Sequence, residues 1–501
     1  MKKYFMGIDN GGTMTKAAIF DSDGKEIAVA SENTPVISTK EGFQERDMMV
    51  LWETTCKAIS KAIEKSGIDA SLIIGIGCTG HGKGLYLWGK DNKPAYNAIA
   101  STDHRGAPYV KKWKESGVFE KVKEKTLQNI LDCQPVSISA WLKENKPEVL
   151  SNIKWIFEAK DFIRFMLTEK AFAEMTDYSG TCLMNLKTKA FDKELLALMG
   201  LEDLYECLPP LKSSYDFCGT VTKQVAEKTG LKEGTLVCGG MFDIDACAIA
   251  MDVSREEQLC VITGTWSINE YISKAPIKPD STTLNSLFCI PEYYLIEESS
   301  PTSAGNLEWV IDTMLTKEKE ECKANGTSVY KYIDELVSKT KPQDSKALFI
   351  PFLYGSNADY PHGAFLGLET ASKKEHLLTA VFEGVAFSHM VHIERLLKLR
   401  EKPESIRIAG GVTKSDVWLQ MFADVIGIPL EVVTVKELGT LGCAIAAAVC
   451  AGEHPDYKTA AKKMVQMDKV IKPDLQRHSI YLKKFELFKA LVDALGSGMK
   501  C

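Results

Sequence analysis

One pattern is written twice into this chain, and it limits the available folds: an apolar strand stops at a small-residue turn carrying a hydroxyl, and two more strands follow. The first copy runs from Tyr4–Asp9 into Asn10-Gly11-Gly12-Thr13, then Thr15–Phe20, the polar turn Asp21-Ser22-Asp23-Gly24, and Glu26–Ser31. The second runs from Leu259–Thr263 into Gly264-Thr265, then Ile268–Ser273 and Tyr293–Glu297. The letters differ while the order of elements is kept, which predicts a duplicated domain, divided as 1–252 and 253–501. At 501 residues the chain has the length for two large domains.

Between the strands the apolar period changes. Asp47 is placed to cap a helix whose Leu51, Ile59 and Ile63 share one face and which Gly67 ends. Leu72–Cys78 reads as a strand leading into Thr79-Gly80-His81-Gly82-Lys83-Gly84. Residues 105–235 carry more helix signals, punctuated by Pro108, Pro135, Pro147 and Pro209-Pro210, and read as an insertion that elaborates the first domain. Later come a strand at Ile406–Ala409, a helix from about Ser415, a strand at Leu430–Val433 and a small-residue helix at Gly439–Cys450. Strands alternating with helices mean an α/β fold.

Charge and cysteine usage narrow the partners. With 61 Lys+Arg against 67 Asp+Glu, net −6, the chain lacks the excess charge that displaces counterions from nucleic acid, so a small molecule is the expected partner. The longest apolar run, Leu441–Ala451, falls short of the roughly 20 residues that span a bilayer, so no membrane partner is expected. The start, Met1-Lys2-Lys3-Tyr4-Phe5-Met6, runs straight into Gly7 and Asp9, which fits no signal peptide. Fourteen cysteines without a C-x-x-C pair read as reduced thiols and a cytoplasmic location.

Glycine-rich turns after a strand let backbone N–H groups reach phosphate oxygens with no side chain in the way. Thr13, Thr15 and Lys16 stand where they could donate to the same phosphates as Gly11 and Gly12. A carboxylate beside a phosphate site calls for a cation between them, so Asp9 is a candidate partner of Mg²⁺, through water. One such turn by itself reads as an ordinary tight turn with a solvated Asp; two in matching positions of a duplicated chain point to a nucleotide. A third, Gly239-Gly240-Met241-Phe242-Asp243, precedes the helical stretch Ala246–Met251. Asp243 would sit near that helix's N-terminus, where the dipole favours an ionised carboxylate able to act as a general base toward a hydroxyl. A helix cap is an equal reading of the same residues. Asp245 would face elsewhere. Gly410-Gly411 is either a nucleotide-backing turn or a packing diglycine. His81 touches substrate or fills a polar turn, and Lys83 reads as a solvated lysine. His389 and His392 have no ligands at metal spacing and read as a helix face.

Taken together, these residues resemble the FGGY family of carbohydrate kinases over essentially the whole chain. Gly7-Ile8-Asp9-Asn10-Gly11-Gly12-Thr13 resembles its first phosphate motif, and Gly75-Ile76-Gly77-Cys78-Thr79-Gly80-His81-Gly82 its sugar loop. Gly240-Met241-Phe242-Asp243 is similar to the loop with the catalytic Asp, and Thr263-Gly264-Thr265 to the second phosphate loop. Ala409-Gly410-Gly411 through Ser415, Trp418, Gln420, Ala423-Asp424 and Gly427 resembles the C-terminal signature, and Glu437-Leu438-Gly439-Thr440-Leu441-Gly442 the adenine-side helix start. Within the family the nearest likeness is to the L-xylulose kinase branch, through Gln44-Glu45-Arg46-Asp47, His81–Leu85, Ser101–Arg105 and Ser300–Trp309. Three places depart from family patterns: Trp266 follows the second phosphate loop, residues 79–84 lack the Arg-Glu pair of glycerol kinases and the Met-His pair of D-xylulose kinases, and Gly355-Ser356-Asn357 replaces the commoner Gly-Glu-Arg.

The resemblance implies a duplicated actin-like, ribonuclease-H-type two-domain fold with ATP in a central cleft, the sugar mostly against the N-terminal half and the nucleotide mostly against the C-terminal half. It implies ATP-dependent phosphorylation of a ketopentose such as L-xylulose at a terminal hydroxyl. D-xylulose, L-ribulose, erythritol, gluconate and glycerol are the other substrates to weigh, and a non-enzymatic actin-like ATP-binding protein is the reading from another class. The expected roles are Asp243 as base and Asp9 toward Mg²⁺. Gly11, Gly12, Thr13, Thr15, Lys16, Gly264 and Thr265 fall on the phosphates, with Gly410, Gly411, Ser415 and Glu437 on the adenosine end. His81, Gly82, Lys83, Asp103, Arg105 and Asn306 fall on the sugar. A homodimer is a further expectation from the family.

Overall fold

A computed structural model describes residues 2–39, 42–264, 266–278 and 283–498. Thr265, one of the expected phosphate ligands, lies outside the described residues. The chain forms two compact units. Unit 1 takes the chain up to Ser254 with Ile272–Ile296 and Glu437–Gln466; unit 2 takes Arg255–Tyr271, Glu297–Lys436 and the chain from Met467 onward.

In unit 1, β1 (Tyr4–Asn10) pairs antiparallel with β2 (Met14–Asp21), and β2 antiparallel with β3 (Glu26–Asn33). After helix α1 (Met48–Ser66) the chain returns as β4 (Ile73–Gly80), parallel to β1. Helix α2 (Ala159–Thr168), β5 (Phe217–Thr220) and β6 (Leu236–Cys238) follow, with β6 parallel to β4 and β5 antiparallel to β6. The sheet order is β5-β6-β4-β1-β2-β3. β1 is buried on both faces, which accounts for its unbroken apolar run. α1 is bounded as its sequence predicts: the Asp47 carboxylate accepts from the Met49 and Val50 amides, and Gly67 closes the helix in the left-handed region. Leu51 and Ile59 are buried and Ile63 packs against the same core, beside Met6, Ile8 and Ile76. In the insertion, Pro108, Pro135 and Pro147 stand in the first turns of helices, where a missing N–H costs nothing.

Unit 2 repeats the topology. β7 (Leu259–Thr263) pairs antiparallel with β8 (Ser267–Ser273), and β9 (Tyr294–Ser300) lies next to β8. After helix α4 (Lys374–Leu397), β10 (Ile406–Gly410) runs parallel to β7. Helix α5 (Asp416–Ile426) leads to β11 (Leu430–Val433), parallel to β10, and β12 (Met467–Ile471) closes the edge antiparallel to β11. The order β9-β8-β7-β10-β11-β12 follows β3-β2-β1-β4-β6-β5, with one further strand, Thr283–Leu287, beyond β9; from β8 to β12 the strand directions match as well.

Two helices complete unit 1. α3 (Asp243–Ala250) follows β6, and α6 (Leu438–Cys450), though it follows β11 in the chain, packs on β1, β4 and α3. That approach is backbone to backbone: a Cβ on Gly7 would overlap the Thr440 carbonyl, and one on Gly442 would overlap that of Ala246. Among the described residues no helix is long and apolar enough to cross a membrane, and the cysteines are all free.

Candidate active site

The first glycine turn is tied at its base and open at its tip. The Gly11 amide donates to the Met14 carbonyl (3.0 Å) and the Thr34 amide to the Thr13 carbonyl (2.9 Å), leaving Gly12 and Thr13 exposed. Asp9, at the end of β1, is partly buried; desolvation pushes its carboxyl up to about 6 against the pull of Lys16. Lys16 faces it across the register of β1 and β2. Burial disfavours the Lys16 ammonium, but Glu437 offsets this with an ion pair (2.7 Å) and holds its pKa above the usual lysine value. Thr15 turns inward: it is fully buried, its hydroxyl shared with Asn10 Nδ2 (3.0 Å) and Thr34 Oγ1 (3.1 Å). Of the expected phosphate ligands here, Gly11, Gly12 and Thr13 therefore form the open turn. Thr15 braces it from beneath, and Lys16 and Glu437 engage each other.

The loop after β4 is packed from below. The His81 amide donates to the Asn10 carbonyl (3.1 Å), and its ring Nε2 lies 2.8 Å from the Tyr86 hydroxyl. Burial, helped by the charge of Arg46, pushes the His81 pKa down to about 3, so the ring is neutral. Gly82 rests against Phe242 and Asp177, where a side chain would clash with both. Lys83 adopts φ of 63°, a left-handed conformation costly for a residue with a Cβ, and its side chain makes no hydrogen bond or ion pair among the described residues. Asp103 and Arg105 are spent on each other. Both are buried, and Asp103 accepts from the Gln44 amide (2.7 Å) and from the Arg105 amide, Nε and Nη2 (each 2.9 Å). Arg105 also pairs with Glu45 (2.9 Å) and lies over the Phe43 ring. This pair leaves no oxygen of Asp103 for a sugar hydroxyl; it braces the strand that carries Gln44–Arg46.

Asp243 opens α3, partly buried, its Oδ1 accepting from the Ile244 amide (2.9 Å). The chain leading to it is fastened residue by residue. The Met241 amide donates to the Cys78 carbonyl (3.1 Å), Thr79 Oγ1 to the Met241 carbonyl (2.7 Å) and the Phe242 amide to Thr176 Oγ1 (2.9 Å). Thr176 in turn donates to Glu174 (2.7 Å). Below lies a buried ionic cluster. Lys160 meets Asp161 (2.9 Å), Glu174 (3.4 Å) and Asp177 (3.4 Å), while Arg164 meets Asp161 (2.6 Å). Counting Glu158, carboxyls outnumber cations there, and burial accordingly raises Asp177 to about 7 and Glu158 well above the usual range. Asp245, expected to face away, is buried on the same helix and accepts from the Cys289 amide (2.9 Å).

In unit 2, Gly264 ends β7 and its amide reaches the Trp266 carbonyl (3.3 Å); the Trp266 side chain is exposed. Gly410 has φ of 101°, and a Cβ would overlap Thr263. Thr263 Oγ1 donates to the Ala409 carbonyl (2.8 Å) and accepts from the Val412 amide (3.2 Å), so β7 and the diglycine turn are pinned together. Ser415 caps α5 through the Trp418 amide (3.0 Å) and donates to Asp334 (2.7 Å). Asn306 is buried, donating to Thr302 Oγ1 (2.7 Å) and the Ser303 carbonyl (2.8 Å). His389 and His392 are buried on α4. His389 contacts Asn269 (2.9 Å), Ser267 (3.0 Å) and Ser303 (2.7 Å), and burial takes its pKa down to about 3. His392 contacts Glu298 and Ser300, each at 3.0 Å. Among the described residues no three His, Cys, Asp or Glu side chains are grouped to hold a metal ion.

Sequence reasoning missed Arg46, Tyr86, Thr176 and the cluster around Lys160. Arg46 had one signal, its place in Gln44-Glu45-Arg46-Asp47; the others acquire meaning only from tertiary neighbours.

Comparison with known proteins accounts for the paired arrangement. Residues 4–250 match the N-terminal domain of the FGGY family of carbohydrate kinases, and residues 259–451 its C-terminal domain. A probable L-xylulose kinase of Haemophilus influenzae is 37% identical, covering 98% of this chain and 99% of that one. The L-xylulose/3-keto-L-gulonate kinase of Escherichia coli is 34% identical over 99% of this chain and 98% of its own. Among solved structures, a ligand-bound xylulose kinase from Lactobacillus acidophilus superposes with a TM-score of 0.89 at 25% identity, each chain 98% covered. A gluconate kinase from the same organism gives 0.88 at 25% identity, each chain 99% covered. Both halves of the chain, each with its strand–turn repeat, belong to the FGGY family of carbohydrate kinases.

Proposed function

We propose that this carbohydrate kinase moves the terminal phosphoryl group of ATP onto a terminal hydroxyl of a ketopentose, with L-xylulose the first candidate. The observation that carries the reading is the setting of Asp243, aimed by the Ile244 amide and held through Phe242, Thr176 and Glu174. It stands in a chain 37% identical over its length to a relative named for L-xylulose. Phosphoryl transfer asks for positioning and charge neutralisation rather than covalent chemistry.

In this reading residues 1–252 form the sugar side and 253–501 the nucleotide side. Asp243 accepts the proton of the sugar hydroxyl. The amides of Gly12 and Thr13, in a turn that Gly11 closes, hold phosphate oxygens together with the turn of Gly264 and Thr265, and Gly410, Gly411 and Ser415 back the adenosine. Lys16 and Glu437 set the local charge beside Asp9. His81, Gly82, Lys83 and Asn306 meet the sugar, while Asp103 and Arg105 position the loop around it. Asp9 fits an Mg²⁺ role: it is a hard oxygen ligand whose burial makes an approaching cation favourable, and Mg²⁺ takes few protein ligands. When bound, Mg²⁺ would neutralise charge on the phosphate oxygens. A cytoplasmic homodimer accompanies the same reading, and sedimentation tests the dimer.

A second reading has one observation in its favour. Lys83, strained and without a partner among the described residues, suits a carboxylate, as in the sugar acid named for the E. coli relative. A coupled ADP-release screen over pentuloses, polyols, aldonates and keto-aldonates decides between them. Ketopentose-dependent ADP release supports the first reading, and preference for the acid supports the second. ADP release without any sugar, together with filaments, would replace both with an actin-like protein.

A further inference from the structure

Four arginines are buried among the described residues, and three of them have a carboxylate. Arg105 pairs with Asp103 and Glu45, Arg164 with Asp161, and Arg407 with Glu431. Arg46 is the exception. It is 3% exposed, and no carboxylate lies within ion-pairing distance of it among the described residues. Its nearest acids by sequence are occupied, Glu45 by Arg105 and Asp47 by the α1 amides. A lone guanidinium is expensive to bury, and a fold that keeps one leaves room for an anion to arrive.

Its position says which anion. Nη1 donates to the Gly11 carbonyl (3.1 Å), Nη2 lies 3.9 Å from the place of a Cβ on Gly12, and Nε has no partner. On the other side its charge acts on the Tyr86 hydroxyl and on His81, which meet each other. Arg46 thus joins the phosphate turn to the sugar loop within unit 1. A planar fork of N–H donors matches phosphate oxygens.

We propose that Arg46 is a catalytic residue that donates to the phosphoryl group in transit between ATP and the sugar, an arginine finger supplied by the chain itself. The proposal rests on the kinase reading above. In the step, the sugar hydroxyl loses its proton to Asp243 and its oxygen forms the new bond to the γ-phosphorus. The bond from that phosphorus to the bridging oxygen breaks, and ADP leaves with the electron pair. Arg46 forms no covalent bond; its N–H groups take up the charge gathered on the equatorial oxygens.

The test compares wild type with Arg46→Gln and Arg46→Lys. The readouts are turnover, ADP affinity, the affinity of ADP with aluminium fluoride and the ketose as a mimic of the transferring phosphoryl group, and thermal midpoint. Arg46→Gln is expected to lower kcat by about 10²–10³, with both KM values within about threefold. It should weaken the aluminium fluoride complex by a similar factor while ADP alone binds as before, and added guanidinium should restore part of kcat. Arg46→Lys keeps a cation without the fork and should fold as wild type with at least about tenfold lower kcat. The proposal is overturned if kcat per folded molecule stays within about threefold in whichever variant folds, or if ADP and the aluminium fluoride complex weaken equally. A wild type that phosphorylates no sugar would instead refute the kinase reading, before any variant is made.

Discussion

Replacing Thr176 by valine changes the volume of the side chain little and removes one oxygen, which serves two bonds. The Phe242 amide loses its acceptor (2.9 Å), and Glu174 loses a hydroxyl donor (2.7 Å). A buried backbone N–H left unpaired costs about 1–3 kcal/mol, and a hydrogen bond to a charged group contributes about 1.5–3 kcal/mol. Glu174 keeps the Thr176 amide (3.0 Å) and Lys160 (3.4 Å), so its loss falls at the low end. The sum is a destabilisation of about 3 kcal/mol. The functional effect follows from adjacency: Phe242 immediately precedes Asp243, and a misplacement of about 1 Å at a reacting group can cost about 10²-fold. Thr176→Val should therefore lose about 10- to 100-fold in kcat with a near-normal KM for ATP. Thr176→Ser, which keeps the oxygen, should recover most of both losses. Urea unfolding followed by tryptophan fluorescence and a coupled ADP assay measure the two effects. If the valine variant unfolds within about 0.5 kcal/mol of wild type and turns over normally, Thr176 does not hold the Asp243 loop.

Asp243→Asn should lower kcat by about 10²–10⁴ with ATP binding by calorimetry unchanged; wild-type turnover would remove Asp243 as base. Asp177 reports on the buried cluster. Burial raises its folded pKa to about 7, above the unfolded value, so its stabilising protonated form is lost as pH rises toward 7. The stability of Asp177→Asn relative to wild type should accordingly increase from pH 5 to pH 8, and parallel denaturation curves across that range would contradict the assignment. Gly7→Ala forces a methyl group into the Thr440 carbonyl and should cost at least about 2 kcal/mol or prevent accumulation of folded protein; normal thermal melting would show that α6 can shift without penalty.

Much of this was legible in the chain because it is local. The strand–turn repeats, the Asp47 cap, Gly67 and the Ser415 start all follow from neighbours a few residues away, and the helix and strands are where those signals put them. The site was legible in its turns and illegible in its depths. Thr15 and Lys16 share the neighbourhood of the glycine turn, but they lie on β2, whose register with β1 sends Thr15 into the sheet and sets Lys16 opposite Asp9. Asp103 and Arg105 looked like sugar ligands, yet the groups that engage them, the Gln44 amide on Asp103 and Glu45 on Arg105, lie about sixty residues earlier. Arg46 reads as one more charge in Gln44-Glu45-Arg46-Asp47, and only its lack of a carboxylate partner after folding sets it apart.

The place of α6 has a consequence for how the chain is made. The helix that fills the groove over β1 and β4 is encoded beyond residue 437, behind most of unit 2. While it is still on the ribosome, the first sheet waits with one apolar face uncovered for most of the time needed to synthesise the protein. A fragment ending near residue 252 would keep that face bare for good, so splitting the gene at the obvious seam between the repeats should yield an insoluble half, which separate expression of residues 437–466 in the same cell could make soluble again.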